Sequence, residues 1–381
     1  MKLDHLTVLA GILNDPLISA FAEADGKKHK TQFLRRLYER GAETCFAAYL
    51  ADAVLTDENA FSRACAARGH ASPFVRNAFL ADITLIGECI AGCEEDGFRM
   101  GKAPSPIGNW DETTVRRLTS VYKKYGYGRY LLHNAFRYQN GELTPILAPS
   151  EVTLTDLKGY EREKAEVRDN FENFVNGLPY ADMLLYGDRG TGKSSTVHAM
   201  VNLFSDQKLR LVEIAKENVL SLPELKTRLA GEPMKFVVFI DDFSLQESDD
   251  RVSTLKAALQ GSMEGHVGNV MIVATSNRRH IVEENFSSRM NSVHMGDSEE
   301  ELLSLSDRFG ITVLFAGTNK QDYLAIVRAV AADMKLKTPA ETLDALAERW
   351  ALVRGGRSPR RARQFADYVY SCEQKGAEII V

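Results

Sequence analysis

The sequence predicts an α/β protein: a five-stranded parallel sheet between helices, preceded by a mainly helical region and followed by a small helical domain. Three observations carry that reading. From about residue 151 onward, short apolar runs alternate with helical stretches, and strand–helix alternation builds a layered sheet. Four of those runs lack a polar side, as strands buried on both faces do. After Gly317 the runs stop and helical periodicity alone remains.

With 381 residues the chain is long enough for two or three domains. Residues 1–150 are expected to form a helical N-terminal region, because apolar residues recur at helical spacing in TQFLRRLYERGAETCFAAYLADAVL (Thr31–Leu55) and SPFVRNAFLADITLIGECIAGC (Ser72–Cys93). Ser72 and Pro73 make an N-cap and first-turn pair for the second run. VYKKYGYGRYLLHNAFRYQNG, Val121–Gly141, is dense in tyrosine and basic residues. LTPILAPSEVTLTD, Leu143–Asp156, holds two prolines and reads as a linker.

The composition is that of an ordinary globular chain, 44% hydrophobic and 26% charged. A net charge of −5 gives no overall attraction to nucleic acid or to an anionic membrane. No run approaches the roughly 18 apolar residues of a membrane span, and MKLDHLTVLAGILNDPLISAFAEADGKKHK carries acids and no cleavable apolar core. A cytoplasmic protein that engages no membrane is expected. The five cysteines read as reduced core residues, and Cys89 and Cys93, one helical turn apart, have no second pair at metal spacing.

ADMLLYG, LRLVEIA, KFVVFIDD, NVMIVATSN and ITVLFAG are the strand candidates. GDRGTGKS, Gly187–Ser194, matches G-x-x-x-x-G-K-[ST] between the first strand and its helix, the setting the motif requires. Glycines let backbone N–H groups wrap a phosphate chain, and the helix N-terminus adds favourable potential. Gly187, Asp188, Arg189, Gly190, Thr191, Gly192, Lys193, Ser194 and, less centrally, Ser195 are expected to cradle ATP. Lys193 would place its charge on the β and γ phosphates, and Ser194 would bind Mg²⁺.

FVVFIDDF, Phe236–Phe243, ends a buried strand on two carboxylates, at the sheet end where ligand crevices form. Asp241 is expected to hold Mg²⁺ through water and Asp242 to polarise the attacking water. The next strand ends on Thr275, Ser276 and Asn277, with Asn277 aimed at that water or at the γ phosphate. Turn chemistry is the other reading of this cluster.

Walker A at GDRGTGKS, Walker B at FVVFIDD, a sensor 1 strand at IVATSN, an arginine box at SDRFG and a helical lid carrying GRSPRRAR occur in the order that resembles an AAA+ P-loop ATPase. The wording of LTDLKGYEREK, LLYGDRGTGKSS, ATSNRRH and SLSDRFG is similar to a bacterial AAA+ family known only by a domain-of-unknown-function label, over roughly residues 150–372. The resemblance implies a nucleotide-binding domain at 151–317 and a helical lid at 318–381. It implies that Leu157, Gly159 and Tyr160 contact adenine. Arg308 matches the arginine finger that reaches a neighbouring subunit's nucleotide, with Arg289 as its competitor. Arg360 matches the sensor 2 arginine, with Arg361 and Arg363 as alternatives. A planar guanidinium suits both roles, and hydrolysis is then expected to depend on homo-oligomer assembly. Asp242 stands where many AAA+ proteins carry glutamate, about one methylene longer, so slow hydrolysis is expected. The absence of an aromatic pore loop after Walker B argues against a threading unfoldase.

The leading functional expectation is an Mg²⁺-dependent ATPase that remodels or switches an unidentified partner. The alternative is an ATP-controlled nucleic-acid binder similar to helicase loaders and transposition helpers, in which tyrosines of the Val121–Gly141 segment stack on bases while Lys123, Lys124, Arg129 and Arg137 neutralise phosphates. A scaffold that binds ATP and barely turns it over is the third. His198, His280 and His294 have no serine or cysteine nucleophile in a recognisable setting and read as packing or surface residues.

Overall fold

The apolar runs of the second half pair into one sheet. The computed structural model describes residues 3–23, 26–42, 45–95, 100–243, 254, 259, 268–277 and 308–380. Its strands are β1 (Ala135–Gln139), β2 (Glu142–Pro145), β3 (Met183–Gly187), β4 (Leu209–Ile214), β5 (Lys235–Ile240), β6 (Val270–Ser276) and β7 (Ile311–Phe315). They lie side by side in the order β2-β1-β4-β5-β6-β3-β7. Every neighbouring pair is parallel except β1–β2. With the glycine-bearing strand β3 counted first, the five expected strands stand in the order 2-3-4-1-5. β3 therefore has β6 and β7 as neighbours, and the ends of β5, β6 and β3 share one crevice at a topological switch point.

Two strands were not foreseen from the sequence. Residues 135–145, assigned to a helical region and the start of a linker, form the hairpin β1–β2, and β1 extends the parallel sheet beside β4. Asn140 (φ +53°) and Gly141 (φ +77°) make the two-residue turn, and positive φ at both positions is the twist-matched type I′ geometry. The sheet consequently begins before the boundary expected at residue 150.

The chain divides into two compact units. The first comprises Met1–Asn134 with Asp206–Lys208 and Glu232–Met234, and its helices are α1 (Pro16–Ala22), α2 (Gly26–Glu39), α3 (Phe46–Thr56), α4 (Ala60–Arg68), α5 (Pro73–Glu95), α6 (Glu112–Tyr125) and α7 (Arg129–Leu132). Its core holds Phe21, Phe33 and Phe46 in mutual ring contact and Phe61 stacked on Phe79 at 4.0 Å. The buried Asp82 carboxylate accepts the N–H groups of Thr7, Val8 and Leu9, which fastens the N-terminal turn.

The second unit holds the sheet and the helices α8 (Glu161–Asn176), α9 (Lys193–Phe204), α10 (Leu222–Ala230), α11 (Lys320–Asp333), α12 (Ala340–Val353) and α13 (Pro359–Lys375). Val167, Phe171 and Phe174 of α8 and Val197, Met200 and Phe204 of α9 pack with Leu185, Leu211, Val237 and Val273 of the strands. The C-terminal helices α11–α13 close a separate core around Tyr323, Trp350 and Phe365. Ser358 caps α13 by accepting the Arg361 N–H, and Pro359 takes the first turn, where no backbone donor is needed.

Candidate functional site

At the end of β3 the backbone turns in a way that side chains forbid. Gly187, Gly190 and Gly192 have φ of +129°, +78° and +99°, values that glycine alone adopts freely. At Gly187 a Cβ would also collide with the Phe315 carbonyl of β7. The Asp188 N–H donates to that same carbonyl at 3.1 Å, so the loop stays tied to the edge strand as it leaves the sheet. Thr191 Oγ1 donates to the Asp188 carbonyl at 2.9 Å, and α9 begins at Lys193.

Lys193 is 6% exposed. Its Nζ donates to the carbonyls of Gly187 (3.0 Å) and Asp188 (2.8 Å) and to Asn277 Oδ1 (3.2 Å). Burial pushes the ammonium pKa below its ordinary value, Asp188, Asp242 and Asp241 pull it back up, and Arg360 adds to the lowering. A buried ammonium bound to carbonyls gains most from an anion placed against it. Glycine-loop N–H groups and a helix N-terminus favour an anion at such a turn.

The two acids of β5 meet the loop from the side. Ser194 Oγ donates to Asp241 Oδ1 at 2.6 Å. Thr275 Oγ1 donates to the same oxygen at 2.5 Å and accepts the Asp242 N–H at 3.0 Å. Asp242 stands in the left-handed region (φ +47°), and its Oδ1 accepts from Asn277 Nδ2 at 2.5 Å. Lys193, Ser194, Asp241, Asp242 and Asn277 thus form one hydrogen-bonded group, and Thr275, given no task from the sequence, lies at its centre. Ser194 and Asp241 offer only oxygen, the donor set that Mg²⁺ takes along with water and phosphate oxygens. Among the described residues no group of three or more His, Cys, Asp or Glu is placed to hold a metal ion.

A cavity of about 350 Å³ adjoins the loop, lined among others by Leu157, Gly159, Tyr160, Ser195, Ile326 and Arg360. Tyr160, itself left-handed (φ +58°), opens α8. Its hydroxyl donates to the Ala316 carbonyl at 2.5 Å and lies 3.0 Å from Thr318 Oγ1, while its ring packs 5.4 Å from that of Phe315. Lys158 pairs with Asp333 of α11 at 2.6 Å, and the Arg360 N–H donates to the Gly190 carbonyl at 3.2 Å. The C-terminal helices α11 and α13 therefore touch both the cavity wall and the glycine loop. Of the three sensor 2 candidates, Arg360 makes that backbone contact. Arg361 bonds Gln364 at 2.9 Å, and Arg363, which also lines the cavity, pairs with Asp367 at 3.0 Å.

Arg308 is not brought to this group. It precedes β7, whose first residue Ile311 pairs with Met183 at the start of β3, so it sits at the end of the strands opposite the glycine loop. Five residues of β3 separate the two ends, about 15 Å at the usual rise. Its Nη1 is buried without a hydrogen-bond partner among the described residues. Arg289, His280 and His294 lie outside the described residues. His198 faces Glu213 (3.9 Å) and the Phe239 ring.

The tyrosine-rich segment is largely core. Tyr122, Tyr127, Tyr130 and Tyr138 are all buried. Tyr122 donates to the Val54 and Leu55 carbonyls, and Tyr127 to Glu232. Lys123, Lys124, Arg129 and Arg137 are exposed, but Arg129 pairs with Glu58 and Arg137 with Glu213. Base stacking by these four rings would require unpacking them.

The chain is 28% identical over 163 residues to the ATPase family gene 2 protein of Schizosaccharomyces pombe, covering 36% of this chain and 20% of that one. It spans about a fifth of that relative's length. Among solved structures, the RuvB Holliday junction branch migration motor of Thermotoga maritima aligns at 17% identity and TM-score 0.41, over 60% of this chain and 68% of that one. The FIGL-1 AAA domain in complex with ADP aligns at 19% identity and TM-score 0.41, over 59% and 75%. The glycine loop joins β3 to α9 as a P-loop does, a setting whose backbone N–H groups cradle phosphates. No helix among the described residues is long and apolar enough to cross a membrane. The model of a family described as a protein of unknown function (DUF815) matches residues 132–373, from just before β1 to the last turn of α13, and the chain belongs to that family.

Proposed function

We propose that this protein binds Mg²⁺–ATP in the glycine loop, hydrolyses it, and uses the nucleotide state to move its lid and so change its hold on a partner. One observation carries the reading: the buried Lys193 ammonium lies at the centre of a left-handed glycine cradle, beside a Ser194 hydroxyl that is 2.6 Å from Asp241. Lys193 holds the β and γ phosphates, and the backbone amides of Gly190–Ser194 wrap them. Ser194 and Asp241 hold Mg²⁺, which when bound neutralises charge on the leaving phosphates. Asp242 orients and polarises the attacking water, and Asn277 fixes its carboxylate. Adenine takes the cavity beside Leu157, Gly159 and Tyr160.

The lid reads the γ phosphate through Arg360, on the helix whose first turn is bonded to Gly190. A ligand shifts such an equilibrium only by its differential contacts with the two lid positions, and Arg360 supplies one. Arg308, across the sheet from its own loop, serves as arginine finger to a neighbouring copy in a homo-oligomer. Calorimetry with Mg²⁺–ATP and a phosphate-release assay test the core of this reading. Wild type is expected to bind and turn over, and Lys193→Ala to do neither. Folded wild-type protein with no magnesium-dependent ATP affinity would overturn it.

A further inference from the structure

We infer that Thr275 is the positioning residue of the proposed hydrolysis: its hydroxyl aims Asp241 and fixes the left-handed turn that carries the short carboxylate of Asp242 to Asn277. The inference rests on the ATPase reading above and goes beyond it, because the motifs give this threonine no task.

Thr275 is 2% exposed in β6, and Ile240 pairs with Ala274, which sets Thr275 opposite Asp241. Valine has the same shape, so packing alone does not call for the hydroxyl. Its single proton goes to Asp241 Oδ1, and a lone pair takes the Asp242 N–H. The carbonyl of the same residue takes the next amide, that of Phe243, at 2.7 Å. Two consecutive amides thus bind one residue, with Asp242 at φ +47° between them. Aspartate and asparagine tolerate that conformation better than other residues with a side chain.

The turn directs the Asp242 carboxylate at Asn277 Nδ2, while Asn277 Oδ1 accepts from Lys193. On its other side Thr275 shares an Asp241 oxygen with Ser194. One hydroxyl therefore links the cation-binding pair to the water-polarising acid. Without it the Asp242 amide loses its partner, Asp241 loses one of two donors, and the turn that compensates for a missing methylene loosens.

The test uses the full chain with Thr275→Val and Thr275→Ser. Exchange of the Asp242 amide is followed in nucleotide-free protein labelled with ¹⁵N-aspartate, Mg²⁺ affinity is titrated on the ATP-loaded protein, and steady-state turnover is measured. For Thr275→Val, Asp242 exchange rises at least about tenfold, and Mg²⁺ affinity and kcat each fall about 10–100-fold, the usual effect of removing a residue that orients a ligand. Affinity for ATP without Mg²⁺ stays within about threefold, since the glycine cradle is untouched. Thr275→Ser keeps wild-type values throughout. If Thr275→Val does not fold, Thr275→Cys replaces it, with losses between those of serine and valine.

The inference is overturned by a folded Thr275→Val protein with wild-type exchange, Mg²⁺ affinity and turnover, or by a serine variant as impaired as valine. A wild type that binds Mg²⁺–ATP without turning it over removes hydrolysis from the proposed function alone, and Asp242 exchange and Mg²⁺ affinity then decide the role of Thr275. A wild type that binds no nucleotide overturns both.

Discussion

Lys193 carries charge where burial works against it. Because its folded pKa is lowered, chiefly by desolvation, the unfolded chain binds more protons than the folded one between the two values. Stability from this group therefore rises with pH across that alkaline window and is flat below it. Nucleotide affinity runs the other way: phosphate needs the ammonium, so it is greatest below the lowered pKa of the free protein and falls as pH climbs through it. Calorimetry in buffers of differing ionisation enthalpy should show proton uptake on ATP binding in that window, absent from Lys193→Arg. Asp242 makes a second prediction. Asp242→Asn keeps a residue suited to the left-handed turn and should bind Mg²⁺–ATP while turnover falls about 10²–10⁴-fold. Asp242→Glu restores the length common in AAA+ proteins but fits the turn less well, so we expect about 1 kcal/mol of destabilisation and no gain in turnover, checked by thermal unfolding and phosphate release.

At the scale of elements, strands were legible where the chain is apolar on both faces. β3, β5 and β6 each fall inside the run that signalled them, since a buried parallel strand has no polar side to confuse the pattern. β4 and β7 fall inside theirs although β4 carries Arg210 and Glu213 and β7 exposes Thr312 and Leu314. The β1–β2 hairpin was hidden by its own chemistry: Arg137 and Gln139 are exposed while Phe136 and Tyr138 are buried, an alternation lost among the surrounding basic and aromatic residues. Asn140–Gly141 was its available signal. The glycine loop was readable because its backbone dictates residue type. Thr275 was not, because its task arises only when β5 and β6 pair in register. Gly187 tests the local account. Gly187→Ala places a Cβ against the Phe315 carbonyl at a left-handed backbone position, so at least about 2 kcal/mol of destabilisation is expected, read as a drop in the unfolding temperature that added Mg²⁺–ATP does not repair.

At the scale of the whole molecule, the position of Arg308 sets the terms. It lies at the start of β7, one strand length from its own glycine loop, and a guanidinium there cannot reach a phosphate held at the other end of the sheet. If it acts on ATP at all, it acts on another copy's ATP, across a head-to-tail contact of the kind that closes into rings. That geometry makes a prediction that no single-chain mechanism shares. Arg308→Ala keeps its glycine loop and loses its finger; Lys193→Ala keeps its finger and loses its loop. Each should be inactive alone, with Arg308→Ala still binding ATP. Mixed in equal amounts, they create contacts pairing an intact loop with an intact finger, about one in four at random, so turnover should recover to about a quarter of wild type. Loss of turnover on dilution of wild-type protein should accompany it. Recovery that fails to appear, with both variants folded and assembled, would leave Arg308 with a structural task and return hydrolysis to a single chain.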